Sequence, residues 1–228
     1  MAGNAVREII LDTETTGLDP EAGHRILEVA CVELVNCIPT GRVFQKYINP
    51  ERDIALEAYQ IHGLTREFLL QHPRFADIVD ELLGFIGASS LVMHNAEFDL
   101  AFLNAEFLRC GRPRFDLCTI IDTVALAKQK YPGAQVNLNA LCRRFGVDCS
   151  ARQYHGALLD CQLLAEVYIE LCGGRQRALD LAVAGGGLIR PDLPPRERRA
   201  IRRYEPSQDE LDAHQMAIRK IPEAIWNT

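Results

Sequence analysis

The stretch "ILDTETTG" (residues 10–17) ends an apolar run with two carboxylates, Asp12 and Glu14, two residues apart. Alternate residues of a strand share a face. Two anions placed this way repel each other unless a cation lies between them. Asp, Thr and Gly also favour turns, so this stretch alone is balanced between a metal-binding pair and a turn. Two further acids tip the balance. In "LVMHNAEFDLAFL", Asp99 heads an apolar stripe made by Phe102, Leu103, Phe107 and Cys110. A carboxylate near a helix start suits the helix dipole. That accounts for its early position but not for its place on the buried stripe, where it costs on the order of a few kcal/mol if uncompensated. In "YHGALLDCQLLAEVYIEL", Asp160 heads Leu164, Val167, Tyr168 and Leu171 in the same way. His155 precedes Asp160 by about 140° of an ideal helix. It is expected on the loop side of the helix mouth, within reach of Asp160; alone, it reads as a surface or capping histidine.

One chemistry unites these residues. Asp12, Glu14, Asp99 and Asp160 form an all-oxygen donor set, which favours Mg²⁺ or Mn²⁺. Two such ions, roughly 3.5–4 Å apart, clamp the attacking and leaving oxygens of an in-line phosphoryl displacement. Histidine titrates near neutral pH, so His155 is the candidate to take the proton of the attacking water. The eight cysteines contain no CxxC pair, which argues against zinc. Several sit in apolar helical patterns and are expected to pack as small hydrophobes.

Elements with the right ends must position these groups. Val6–Leu11 reads as a central strand. Ile26–Val35 and Val43–Ile48 read as a hairpin or meander around a turn-rich Asn36–Gly41. Helical spacing marks Ala76–Ile86, Glu97–Cys110, Asp122–Lys130, Leu138–Phe145 and about Gly156–Cys172, with a short strand at Leu91–His94 and Asn95 as a candidate helix cap. A meander followed by alternating strands and helices implies an α/β domain with a mixed sheet. A net charge of −6 disfavours non-specific binding to nucleic acid, but an acidic site can still meet it through cations. The N-terminus lacks signal-peptide character and no apolar run is long enough for a membrane span. A cytoplasmic, reducing location is expected.

Composition shifts after about Leu181. A stretch rich in Gly, Pro and Arg, through residue 206, reads as a flexible linker whose arginines are solvated. Ser207 and Glu210 then form a capping-box pattern. The chain closes on Ile225 and Trp226, the single tryptophan. An apolar end on a tether suggests docking to a partner. The expected division is a catalytic domain over residues 1–181, a linker over 182–206 and a docking segment over 207–228.

"DTET", "HNAEFD" and "YHGALLD" resemble, in order and spacing, the three motifs of the DEDD superfamily of 3′–5′ exonucleases in its histidine branch. "IHG", "EFLL" and "NLNALC" bring the resemblance closest to the epsilon-type proofreading subunits of bacterial DNA polymerase III. The match covers residues 6–175 well and the tail loosely. It implies an RNase H-like sheet, with a three-strand antiparallel meander and parallel strands flanked by helices. It also implies that Asp12, Glu14, Asp99 and Asp160 hold two Mg²⁺ or Mn²⁺ ions, with Asp12 bridging, and that His155 is the general base. Substrate contacts fall on Glu57 and His62, which the residues alone present as an ordinary loop acid and histidine, and on Asp12, Glu14 and Asp160. Implied partners are a single-stranded or frayed DNA 3′ end, the polymerase catalytic subunit through the C-terminal segment, and further candidates in a small accessory subunit and the sliding clamp. The implied function is proofreading. An RNA-trimming or oligonucleotide-degrading exonuclease of the same superfamily is the alternative within the class, since pocket shape reads the 2′-OH. A non-catalytic polymerase accessory protein is the alternative outside it.

Overall fold

β1 (Arg7–Thr15) is apolar on both faces from Ile9 to Leu11 because it is covered on both faces. The computed structural model describes residues 5–115, 119–150, 154–174 and 206–220. After β1 come β2 (Ile26–Val35), β3 (Ile38–Tyr47), α1 (Leu56–His62), α2 (Arg66–Leu69), α3 (Phe75–Ile86), β4 (Ser90–Met93) and α4 (Ala96–Arg109). β5 (Ile120–Asp122), α5 (Thr123–Lys130), α6 (Leu138–Phe145), α7 (Ala157–Leu171) and α8 (Gln208–Ile218) follow. The sheet order is β3-β2-β1-β4-β5. β1–β2 and β2–β3 are antiparallel, whereas β1–β4 and β4–β5 are parallel. This is the expected mixed sheet of a meander extended by parallel strands.

The alternation of β1 assigns its two faces. Ile9 and Leu11 enter a core with Ile78, Leu82, Phe102 and Phe107 of α3 and α4. Ile10 enters a second core with Cys161, Leu164 and Tyr168 of α7 and Leu141 of α6. Small residues at Ala157, Cys161 and Ala165, all buried, recur every four positions along α7. They let the helix lie close enough for the Cys161 thiol to reach the Ala30 carbonyl at 3.3 Å.

Several local expectations change. β1 continues to Thr15, so Asp12 and Glu14 lie within the strand. The β2–β3 connection is a two-residue turn, Asn36 and Cys37, both at positive φ (53° and 61°), rather than a six-residue loop. Such a left-handed pair matches the twist of a hairpin. β3 therefore starts at Ile38. α1 and α2 were not evident from spacing, because only Ala58 and His62 of α1 and Leu69 of α2 are buried. Asn95 occupies the N-cap of α4 with φ 69°, but its side chain makes no cap bond.

By internal contacts the chain divides into Met1–Asp180 and Leu181–Thr228. In the second unit the described residues form α8, whose Ser207 and Glu210 complete a capping box. Cys118, residues 182–205 of the expected linker, and Ile225 and Trp226 of the expected docking end lie outside the described residues. No helix among the described residues is long and apolar enough to cross a membrane.

Candidate active site

A cavity of about 600 Å³ lies at the C-terminal end of β1. Asp12, Glu14, Asp99, Asp160, His155, Glu57 and His62 all line it, together with Thr13, His24 and Phe98. The structure therefore brings all seven residues expected from sequence to one place. No lysine or arginine is among the described residues that line it.

β1 supplies the floor. Asp12 and Glu14 follow Ile10 on the face that meets α7. The first turn of α7 carries Asp160, 4% exposed, and His155 stands just before it. His155 Nδ1 lies 3.3 Å from Asp160 Oδ2. Ligand atoms of Glu14, His155 and Asp160 fall within 4.8 Å of one another. Asp12 and Asp99 line the same cavity but stand outside that tight group.

Asp99 comes from α4, behind the opposite face of β1. The Thr13 hydroxyl donates to its Oδ1 at 2.7 Å. Burial pushes the Asp99 carboxyl up to about 7, against the downward pull of hydrogen bonds from Thr13. The start of α4 is held by β5: Asp122 Oδ1 accepts both the Asn95 amide at 3.1 Å and the Val124 amide at 2.9 Å.

These observations test the fit of a divalent metal. Asp12, Glu14, Asp99 and Asp160 share one cavity, and burial keeps Asp99 from ionising easily. A hard cation suits this all-oxygen donor set and would favour its ionised form. The residues fit the group.

α1 forms the wall that carries Glu57 and His62. Its entry is tied to β1 by the Ala55 amide donating to the Thr16 carbonyl at 3.1 Å. Its exit is tied to the segment before α7, where the His155 amide donates to the Ile61 carbonyl at 3.0 Å. His62 is 5% exposed, and its Nδ1 accepts the Leu64 amide at 3.0 Å. The proton of the neutral ring is therefore on Nε2. That buried nitrogen has no hydrogen-bond partner. Burial lowers the His62 pKa to about 4; the Thr15 carbonyl opposes this without reaching hydrogen-bond geometry, and nearby His155 adds to the lowering. At neutral pH His62 is an uncharged N–H donor beside the cavity.

Sequence reasoning missed Thr13, His24, Asp122 and Glu28. His24 lines the cavity, with Nδ1 2.9 Å from the Thr16 hydroxyl. Its ring packs where a Cβ at Gly17 would stand, 2.3 Å from that position, so any larger residue at 17 would displace the His24 ring. Nothing in the spacing signals this. Glu28 had a signal: it is an acid inside the apolar run "ILEVACV", and it is 2% exposed.

The family model described as "Exonuclease" (RNase_T) matches residues 9–168. The DNA polymerase III subunit epsilon of Rickettsia felis is 47% identical over 224 residues, spanning 96% of this chain and 98% of the relative. Among solved structures, exonuclease X in complex with 5′ overhanging duplex DNA superposes with a TM-score of 0.58 at 26% identity, over 72% of this chain and 90% of that one. The nuclease domain of 3′hExo, a DEDDh family member bound to rAMP, gives 0.65 at 21% identity, over 78% and 98%, and bears on the fold alone. The chain belongs to the exonuclease family, in the group formed by the DNA polymerase III epsilon subunits.

Proposed function

We propose that this exonuclease is a proofreader of bacterial replication in the cytoplasm, removing mispaired 3′-terminal nucleotides from DNA with two Mg²⁺ or Mn²⁺ ions. The observation that carries this is the gathering of four acids and a histidine, from β1, α4 and the start of α7, in one cavity. Asp12, Glu14, Asp99 and Asp160 would hold the ions. When bound, the ions lower the pKa of water and stabilise the charge that develops on the leaving oxygen.

The remaining work falls to the chain. His155 Nδ1 lies 3.3 Å from Asp160 Oδ2; with Nδ1 turned to this carboxylate, Nε2 would be the nitrogen that takes up the proton of the attacking water. His62 donates its Nε2–H to an acceptor of the terminal nucleotide, a role open to it because it stays neutral. Glu57, on the same short helix, is placed to contact the sugar or base. Only a single-stranded end enters such a cavity. A mismatched end melts at lower cost, and this difference gives selectivity.

The polymerase catalytic subunit is the partner proposed for residues 207–228, beyond a linker over 182–206, with the catalytic domain over 1–181. A small accessory subunit and the sliding clamp are further proposed partners. The test is turnover of 3′-labelled DNA and RNA strands by the purified chain with Mg²⁺ or Mn²⁺. Faster release of deoxynucleoside monophosphates is expected; faster RNA turnover would favour an RNA-trimming enzyme, and no turnover an accessory protein. Deleting residues from Ser207 onward should abolish co-purification with the polymerase subunit and spare digestion of free strands. Retained binding would refute docking through this segment.

A further inference from the structure

The first amides of a helix need acceptors from outside its own hydrogen-bond ladder. α7 carries Asp160 and follows directly on His155, yet its N-cap is Gly156, which offers no side chain. The acceptor comes from 129 positions earlier in the chain. The Ala157 amide donates to Glu28 Oε2 at 3.2 Å, and the nearby Leu158 amide also favours the charged carboxylate. The other oxygen, Oε1, accepts Gln45 Nε2 from β3 at 2.7 Å. No lysine or arginine bridges Glu28 among the described residues. Its balancing partners are Gln45 and the positive end of α7.

This is a costly way to cap a helix. Burying a carboxylate is expensive even when it is hydrogen-bonded. A serine at position 156 would do the same locally. Gly156 has extended backbone angles, φ −145° and ψ 129°, which suit an N-cap residue, and no atom lies within 4 Å of a Cβ built there. A remote carboxylate supplies something a local cap does not: a tie between the helix start and a particular strand position. Glu28 pairs directly with Glu14 in the β1–β2 register. The tie therefore sets His155 and Asp160 against Glu14, the three residues whose ligand atoms approach within 4.8 Å.

We propose that Glu28 is a positioning residue for the hydrolysis, fixing the start of α7 against β2 so that His155 and Asp160 register with Glu14. This rests on the exonuclease reading above. Misplacement of catalytic groups by about 1 Å costs on the order of 10²-fold in rate. Glu28→Ala is expected to lower kcat on a single-stranded oligonucleotide by about that factor, with KM nearly unchanged. Glu28→Gln keeps an oxygen for the Ala157 amide and should retain most of kcat. The decisive variant is Glu28→Ala combined with Gly156→Ser, which caps α7 without tying it to β2. It should regain the melting temperature and the slow amide exchange of the first turn of α7, while kcat stays low. Recovery of kcat together with melting temperature would reduce Glu28 to a cap and overturn the proposal, as would parental kcat in Glu28→Ala. Failure of the exonuclease reading would look different: the parent chain itself would be inactive with metal, while the exchange measurements would still report the tie.

Discussion

The protein buries acids in two kinds of surroundings. Glu106, fully buried on α4, receives both Arg25 Nε at 2.6 Å and Arg25 Nη2 at 2.9 Å. Glu33, 3% exposed near the start of the β1–β2 pair, receives Arg7, Arg42 and the Thr40 hydroxyl. At the other end of that pair, Asp12, Glu14, Asp99 and Asp160 surround a cavity with no guanidinium or ammonium among its described lining residues. A planar guanidinium locks a carboxylate into the architecture. Acids that converge on one cavity form a donor set for a cation from solution. Burial of a charge therefore does not separate structure from function here; convergence of several acids on one cavity does.

The largest effect expected from breaking this contrast is on activity. Asp12→Ala should lower metal-dependent digestion of a 3′-labelled strand by at least ~10³-fold, since it removes a cation ligand at the reacting centre. Its thermal melt should not fall. Undiminished turnover would end the assignment of Asp12. The mirror experiment acts on stability. Glu106→Ala leaves the Arg25 guanidinium, whose side chain is 18% exposed, without its carboxylate and should cost about 3–5 kcal/mol in urea unfolding. A variant as stable as the parent would mean that the two kinds of acid do not differ as described.

The smallest effect concerns the proton on Asp99. Its folded pKa, about 7, lies above its ordinary value of 3.8. Between those values the folded state holds a proton that the unfolded state has released. The metal-free fold accordingly loses stability as pH rises from about 4 to about 7, and this contribution is fully present only below the lower value. A cation needs the ionised form and must displace that proton. Mn²⁺ should raise the melting temperature more at pH 8 than at pH 5.5, the difference corresponding to at most ~2 kcal/mol of binding. Equal shifts at the two pH values would show that Asp99 is not among the ligands.

Much of the site was legible in the sequence because its acids break apolar patterns. Asp99 and Asp160 each head a buried helical stripe, and Asp12 and Glu14 interrupt a buried strand. A polar residue where the period demands an apolar one is visible without any structure. The meander and β4 were legible as apolar runs, whereas β5, three half-buried residues, was not. α1 was not: with two buried residues it has no stripe, so only the family resemblance drew attention to Glu57 and His62. The packing of His24 over Gly17 and the caps from Asp122 and Glu28 were hidden for another reason. They join positions far apart in the chain, and spacing carries no record of such contacts. The Asn36–Cys37 turn was overlooked because neither residue is the glycine that usually marks a left-handed pair.

One backbone hydrogen bond has a wider consequence. The His155 amide holds the Ile61 carbonyl at the end of the helix that bears Glu57 and His62. The segment that carries His155 and the helix that carries Glu57 and His62 are thus joined through main-chain atoms, so a substitution of either side chain leaves the link intact.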